Sequence, residues 1–389
     1  MFNATQIAPD IYWVGVVDWN ERNFHGYTTD RGSTYNAYLI VDEKITLIDT
    51  CKPGFSDEML ERISQIVEPS RIDVIIANHV EQDHSGGLPV MREAAPHATI
   101  YTSDPSGVKG LTAHYGDLGY VGVKTGDTLN IGKRELVFQQ MAMVHWPDNM
   151  AVYSPNDKIL FSNDAFGQHL ATSMRFDDEV GAEVYRQAKK YYANIVMPYN
   201  KQVNKVLEAV APLDIDIIAP AHGVIWRSDV AGIIEKYQAW AAQELDDYAL
   251  VVYDSMWHTT EKMAESIAEA FTDKGVNVRL MDLKVNHISD IITEVLTAKY
   301  LALGSPTLNS AMMPTVAAFL CYLKGLTPKG SDRIGIPFGS YGWAPLGPNE
   351  VAAGLEAAGF ETAWGTFTHQ WTADEEYLSS LRDEIEEHL

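Results

Sequence analysis

The run His79-Val80-Glu81-Gln82-Asp83-His84 places four potential metal ligands within six residues. It follows Asp73-Val74-Ile75-Ile76-Ala77-Asn78, an apolar stretch that reads as a buried strand of a central sheet. Open α/β sheets hold their ligands just past the carboxyl ends of strands. In extended backbone His79, Glu81 and Asp83 project to one side, and the chain must turn for His84 to join them. Ser85-Gly86-Gly87 is expected to make that turn, with Ser85 capping a helix that begins at Leu88-Pro89-Val90-Met91-Arg92. A polar loop has little use for so dense a set, and an apolar core could not hold it unpaired. The stretch points to metal, and to two ions rather than one.

At 389 residues the chain exceeds what one core usually accommodates, so two domains are expected. A net charge of -24 argues against nucleic acid, whose phosphates would be repelled, and gives no reason to expect an anionic membrane. Cys51 and Cys321 are the two cysteines, far apart in sequence, so neither a disulfide framework nor a Cys-x-x-Cys iron–sulfur site is present. Both are expected to be buried packing residues. Without a charged-then-apolar leader or an apolar span of membrane length, a cytoplasmic location is expected.

Short strands dominate the first part: Ile11–Val16, Ala37–Val41 and Ile45–Asp49, the last two joined by a turn at Asp42-Glu43-Lys44. Between the first two lies an aromatic loop, Asn23-Phe24-His25-Gly26-Tyr27. A helix is expected over Ser56–Ile66. Further on, single ligand-type residues recur at strand ends. Leu136–Gln140 leads to Val144-His145-Trp146-Pro147-Asp148, Lys158–Ser162 leads to Asn163-Asp164, and Ile215–Pro220 leads to Ala221-His222-Gly223. Each alone reads as a satisfied polar residue; three together behind the first cluster read as a set.

His79-x-Glu81-x-Asp83-His84 with His145, Asp164 and His222 resembles the metallo-β-lactamase fold in the diiron form of the flavodiiron proteins. Zinc hydrolases of that superfamily carry His where this chain has Glu81. The resemblance implies that His79, Glu81 and His145 bind one iron, that Asp83, His84 and His222 bind the other, and that Asp164 bridges them. Imidazole itself suits iron and zinc alike. The three carboxylates offset three of the four charges of a diferrous pair. Metals in such sites lie ~3.5–4 Å apart, a span suited to a diatomic molecule. His25, Tyr27 and Tyr192 match segments that line the family's substrate pocket, with His25 or Tyr192 as a donor of a proton or hydrogen bond. Trp146 is expected to pack against the site.

Beyond Val230–Gln243, helical in pattern, an acidic stretch Glu244-Leu245-Asp246-Asp247 marks the expected boundary between domains 1–247 and 248–389. A regular alternation follows. Strands are expected at Ala249–Tyr253, Val276–Leu280, Tyr300–Gly304, Arg333–Phe338 and Thr362–Trp364, with helices at Thr260–Phe271, Asp290–Leu296, Pro314–Leu323 and Glu350–Ala358 and a terminal acidic helix. This pattern defines a doubly wound parallel sheet. The loop Ser255-Met256-Trp257-His258-Thr259-Thr260 offers hydroxyls and backbone N–H groups at a helix amino terminus, a site for a phosphate dianion. It contains neither Gly-x-Gly-x-x-Gly nor a Walker sequence. It resembles the FMN loop of flavodoxin, with Ser255, His258, Thr259 and Thr260 at the phosphate. Ser305-Pro306-Thr307-Leu308-Asn309 and Ser340-Tyr341-Gly342-Trp343 match the isoalloxazine loops, with Trp343 against the ring.

The whole reading is therefore α/β: a metallo-β-lactamase-like αββα sandwich followed by a flavodoxin-like domain. The resemblance implies an oxidoreductase that reduces dioxygen to water or nitric oxide to nitrous oxide, passing electrons through FMN to a diiron site. Four electrons reduce dioxygen to two waters, and a diferrous pair with a flavin hydroquinone holds four. The implied partners are an external donor, rubredoxin or a deazaflavin, and a second copy in a head-to-tail homodimer or a dimer of dimers. The resemblance is compatible with either gas and with either donor. The rival reading is a dinuclear zinc hydrolase fused to a flavodoxin-like module; Glu81 and the flavin loop both count against it.

Overall fold

The computed structural model describes residues 3–389. Contacts divide the chain into two units, one running up to Tyr192 together with Lys201–Gln238, the other comprising Ala193–Asn200 and Ala239–Leu389. The expected boundary after Asp247 falls just inside the strand Asp246–Tyr253.

The first unit packs two sheets face to face. The seven-stranded sheet centres on Ile45–Ile48, Ile72–Ala77 and Thr99–Ser103, which are parallel neighbours. Ile72–Ala77 is apolar apart from half-buried Asp73 because both its faces are covered. Val74 and Ile76 point into the core between the sheets, against Phe138, Val152 and Phe161 of the second sheet. Ile75 and Ala77 point the other way, into a core shared with Met59, Ile63, Leu88 and Met91 of the outer helices. The five-stranded second sheet ends in the parallel pair Ile159–Asn163 and Ile217–Pro220, which sets Asp164 and His222 side by side. The αββα class expected from the sequence is thus the class observed.

Two local expectations change. The strand expected over Ile11–Val16 is split into Ile11–Trp13, in the large sheet, and Val16–Asp18, which pairs with Ser33–Tyr35 in a separate ribbon. At Gly15 the backbone of Tyr35 passes so close that a Cβ would sit 2.4 Å from its carbonyl oxygen. Ser85 caps nothing: the helix Leu88–Ala94 starts from Gly87, and the Ser85 hydroxyl donates to the carbonyls of Val80 and Glu81 at 2.7 and 3.0 Å.

The second unit is a five-stranded parallel sheet in the order second, first, third, fourth, fifth along the chain, with helices between successive strands. Its last strand is Phe367–Gln370 rather than Thr362–Trp364. Gly365, at φ +83°, closes a turn back to the Thr362 carbonyl and delays the strand. Cys321 is exposed while Cys51 is buried. On the helix Pro314–Leu326 the buried stripe is Val316, Phe319, Leu320, Leu323 and Leu326, and position 321 lies off it. Among the described residues no helix is long and apolar enough to cross a membrane.

Candidate metal centre and flavin cavity

His79 stands one residue past Asn78, at the carboxyl end of the central strand, with its ring fully buried. Its Nδ1–H donates to Asp148 Oδ2 at 2.8 Å, and the Val80 N–H donates to the same oxygen at 2.7 Å. That bond fixes the tautomer and turns the Nε2 lone pair inward, as second partners of metal-bound histidines do. Nε2 lies 3.2 Å from Glu81 Oε2, and His145 Nε2 lies 3.5 Å from the same oxygen. The chain turns earlier than expected. Gln82–Ser85 is already one helical turn, so Asp83 leaves the side shared by His79 and Glu81 and enters a second group with His84. There Asp83 Oδ1 is 3.4 Å from His84 Nε2, and Asp83 Oδ2 is 3.2 Å from His222 Nε2. His222 is aimed by the same device as His79: its Nδ1–H donates to the Thr34 carbonyl at 2.6 Å.

Asp164 joins the two groups. Its Oδ2 faces His79 and His145 at 3.6 and 3.5 Å, and its Oδ1 faces His84 and His222 at 3.1 and 3.5 Å. All seven residues are buried, and three overlapping sets of ligand atoms lie within 4.8 Å of one another. Both oxygens of Asp83, Oδ1 of Asp164 and Nε2 of His84 are buried without a hydrogen-bond partner. Lone pairs crowded together and left unsatisfied are costly unless a cation takes them. Burial opposes protonation of His84, but Asp164 and Asp83 outweigh it and push its pKa up to about 9. Burial likewise opposes ionisation of Asp164, yet the His84 charge holds its carboxyl well below the usual range. The cluster thus demands positive charge, from protons or from metal. Its donor set of imidazole nitrogens and carboxylate oxygens fits a pair of iron ions.

Around this centre lie aromatic rings. His25 sits at a left-handed position, φ +50°, with its Nε2 against Glu81 Oε1 and its side chain 66% exposed. Tyr27 is buried, its ring 5.4 Å from that of His169. Trp146 meets His79 edge-on at 5.3 Å, as expected. Tyr192 packs edge-on against Tyr237, and it is Tyr191 whose ring reaches His222, at 6.1 Å. In a helical turn consecutive side chains diverge by roughly 100°, so only one of the pair takes this direction. Sequence reasoning missed Asp148, Thr34, Tyr191 and His169. His169 is buried, bonded through Nδ1 to Ser33 Oγ at 2.7 Å, and its ring lies 4.9 Å from His222. The only signal for Asp148 was a carboxylate three residues past His145; a carbonyl such as that of Thr34 leaves no mark in a sequence.

The second unit carries a cavity of about 380 Å³ at the carboxyl ends of its strands. Met256, Trp257 and Thr259 line it from the first loop, Pro306 and Thr307 from the second, and Ser340, Tyr341, Gly342 and Trp343 from the third. Trp371 and Thr372 complete it, and neither was expected. The remaining expected residues frame the loops. His258 pairs with Glu261 at 2.6 Å, Thr260 Oγ1 bonds Ser340 Oγ at 3.0 Å, and Ser305 Oγ accepts from Met313 N–H at 2.8 Å. Leu308 pairs with Ala311, leaving Asn309 at φ +49° in the tight turn between them. Ser255 Oγ is buried with no partner, beside the amino terminus of the helix Thr259–Asp273. An orphan hydroxyl at a helix amino terminus, below a cavity walled by indoles, fits a flavin phosphate and its ring.

A family model described as ODP family beta lactamase matches residues 34–223, and one described as Flavodoxin matches residues 251–383. The chain is 43% identical over 368 residues to the nitric oxide reductase of Moorella thermoacetica, covering 93% of this chain and 92% of that one. It is 42% identical over 366 residues to the rubredoxin-oxygen oxidoreductase of Megalodesulfovibrio gigas, covering 92% and 90%. Its fold matches the crystal structure of the flavodiiron protein from Giardia intestinalis with a TM-score of 0.95, at 36% identity, over 100% of this chain and 96% of that one. The chain belongs to the flavodiiron protein family. It is an oxidoreductase whose cofactors are a diiron centre and FMN.

Proposed function

We propose that this chain reduces dioxygen to water, nitric oxide to nitrous oxide, or both, drawing electrons from an external donor through FMN. The observation that carries this reading is Asp164, whose two oxygens face two separate ligand groups. Bound there, two irons would supply paired one-electron chemistry to a small diatomic substrate. We assign His79, Glu81 and His145 to one iron, Asp83, His84 and His222 to the other, and Asp164 to both. The protein's part is to aim these atoms and keep them dry. Asp148 and the Thr34 carbonyl orient two imidazoles. His25 holds a proton at Nε2 against Glu81, and its exposed side chain gives that proton a way in from water. Tyr27 shapes the pocket with His169 and Tyr191, and Tyr192 supports it through Tyr237.

FMN is assigned to the cavity bounded by the loops that begin at Ser255, Ser305 and Ser340. Ser255, His258, Thr259 and Thr260 take the phosphate with the helix amino terminus; Met256, Trp257, Pro306, Thr307, Tyr341, Gly342 and Trp343 wall the ring; Ser305, Leu308, Asn309 and Ser340 set the loops. Residues 1–247 supply the metal centre and 248–389 the flavin site. Rubredoxin is the donor that the name of the Megalodesulfovibrio relative supports. The working unit is a head-to-tail homodimer acting in the cytoplasm, a reading that family membership supports.

Anaerobic reduction followed by rapid mixing with dioxygen and with nitric oxide tests the proposal. Reoxidation by at least one gas far faster than that of free reduced FMN is the expected result. Reoxidation no faster than free flavin by both gases contradicts it.

A further inference from the structure

The last strand of the second unit, Phe367–Gln370, runs into Trp371 at φ +65°. That backbone suits Gly or Asn, and a bulky residue adopts it only when its surroundings fix it there. The indole is also 71% exposed, beside Trp343 at 62% and Trp257 at 87%. Three indoles open to solvent around one cavity mark a surface built to be covered.

Three donors of this corner converge on the loop after the fourth strand. Trp371 Nε1–H donates to the Gly342 carbonyl at 2.7 Å, and the Gln370 side-chain amide donates to the same oxygen at 2.9 Å. The Trp371 backbone N–H donates to the Tyr341 carbonyl at 2.8 Å. Both lone pairs of the Gly342 oxygen are thereby taken, so the peptide that leads into Trp343 is locked in one orientation. Trp371 and Trp343 then stand as walls of the same cavity.

We propose that Gln370 and Trp371 form a clamp that preorganises the Gly342–Trp343 edge of the flavin cavity, with the Trp371 indole as a further wall for the isoalloxazine ring. The fifth strand thus contributes to flavin binding alongside the loops of the first, third and fourth. A residue serving only to end the strand has no need of an indole. Holding both walls before the ligand arrives removes an ordering cost from binding.

This inference rests on the FMN reading, and its test separates the two. Full-length protein stripped of flavin is titrated with FMN, reading affinity and the quenching of flavin emission. Trp371→Asn keeps a residue at ease in the left-handed region but removes the indole; Trp371→Phe keeps a ring but removes the Nε1–H; Gln370→Ala removes one donor. Trp371→Asn should bind FMN about tenfold more weakly and quench less, with Trp371→Phe and Gln370→Ala each about threefold weaker. A circular dichroism spectrum and a thermal melt equal to wild type show that each variant folds in both units, and if Trp371→Asn fails that check, the other two variants decide. Wild-type affinity and quenching in the variants that fold overturn the clamp while leaving the flavin site intact. A wild-type chain that takes up no FMN overturns the flavin reading, and the clamp with it.

Discussion

The metal centre and the flavin cavity solve opposite problems. In the metal centre the converging atoms belong to buried side chains, and two of the imidazoles are aimed by a bond to the far end of the ring: Asp148 behind His79, the Thr34 carbonyl behind His222. In the flavin cavity three exposed indoles stand in the wall, and hydroxyls around it such as those of Thr260 and Ser305 are spent on holding loops. A bare cation needs lone pairs held ready, because nothing else offsets burying them. A flat ligand of many atoms needs shape and covered area, and it accepts contacts from any residue with a face.

That contrast predicts a ranking of effects. Removing iron with a chelator should leave FMN in place and slow gas reduction by ~100-fold or more, since among the described residues the flavin unit has no ligand cluster of its own. Retained activity in the iron-free, flavin-loaded protein, measured by stopped flow, would break the division of labour. Next in size, Asp148→Ala should weaken iron binding by roughly 10–100-fold without changing FMN affinity. Iron titration of the metal-free protein checks this, and an unchanged affinity would show that His79 needs no orienting partner. Ser255→Ala acts on the other region. It should weaken FMN by about tenfold and riboflavin hardly at all, because the lost hydroxyl serves the phosphate. Equal losses for the two flavins would move Ser255 away from the phosphate.

The smallest effect is on stability. In the metal-free protein the pKa of His84 is pushed up to about 9, above its unfolded value near 6.5. A raised histidine stabilises fully below the unfolded pKa and loses that contribution as pH climbs through the folded one. The metal-free form should therefore melt at a lower temperature at pH 9.5 than at pH 6.5. Iron takes the place of the proton, so the loaded form should not show this fall, and iron affinity should rise over the same range. Scanning calorimetry of both forms decides it; a metal-free form that gains stability across that window contradicts the assignment.

The same contrast explains what could be read from the chain. That His79, Glu81, Asp83, His84, His145, Asp164 and His222 would come together was legible because ligand chemistry restricts residue type, and strand ends told where to look. Their partition was legible only by resemblance, since the helical turn at Gln82–Ser85 comes where an extended run was expected. Tyr191 was missed for its neighbour because two adjacent tyrosines carry no sign of which one faces inward. In the second unit the doubly wound parallel sheet followed from alternation, but Trp371 was lost with the misplaced last strand. A wall made by whichever residue follows a strand moves when the strand moves. The Thr34 and Gly342 carbonyls could not have been found at all, because every residue has one.

The proposed diiron centre depends on one carboxylate, Asp164, joining two irons in each chain. Iron and flavin counted per chain, with Mössbauer spectra of the wild type and of Asp164→Ala, test it most directly. Two irons and one FMN are expected in the wild type, the irons as a single magnetically coupled pair, with loss of the coupling in Asp164→Ala and FMN retained. One iron per chain, two uncoupled irons, or zinc in their place would contradict it.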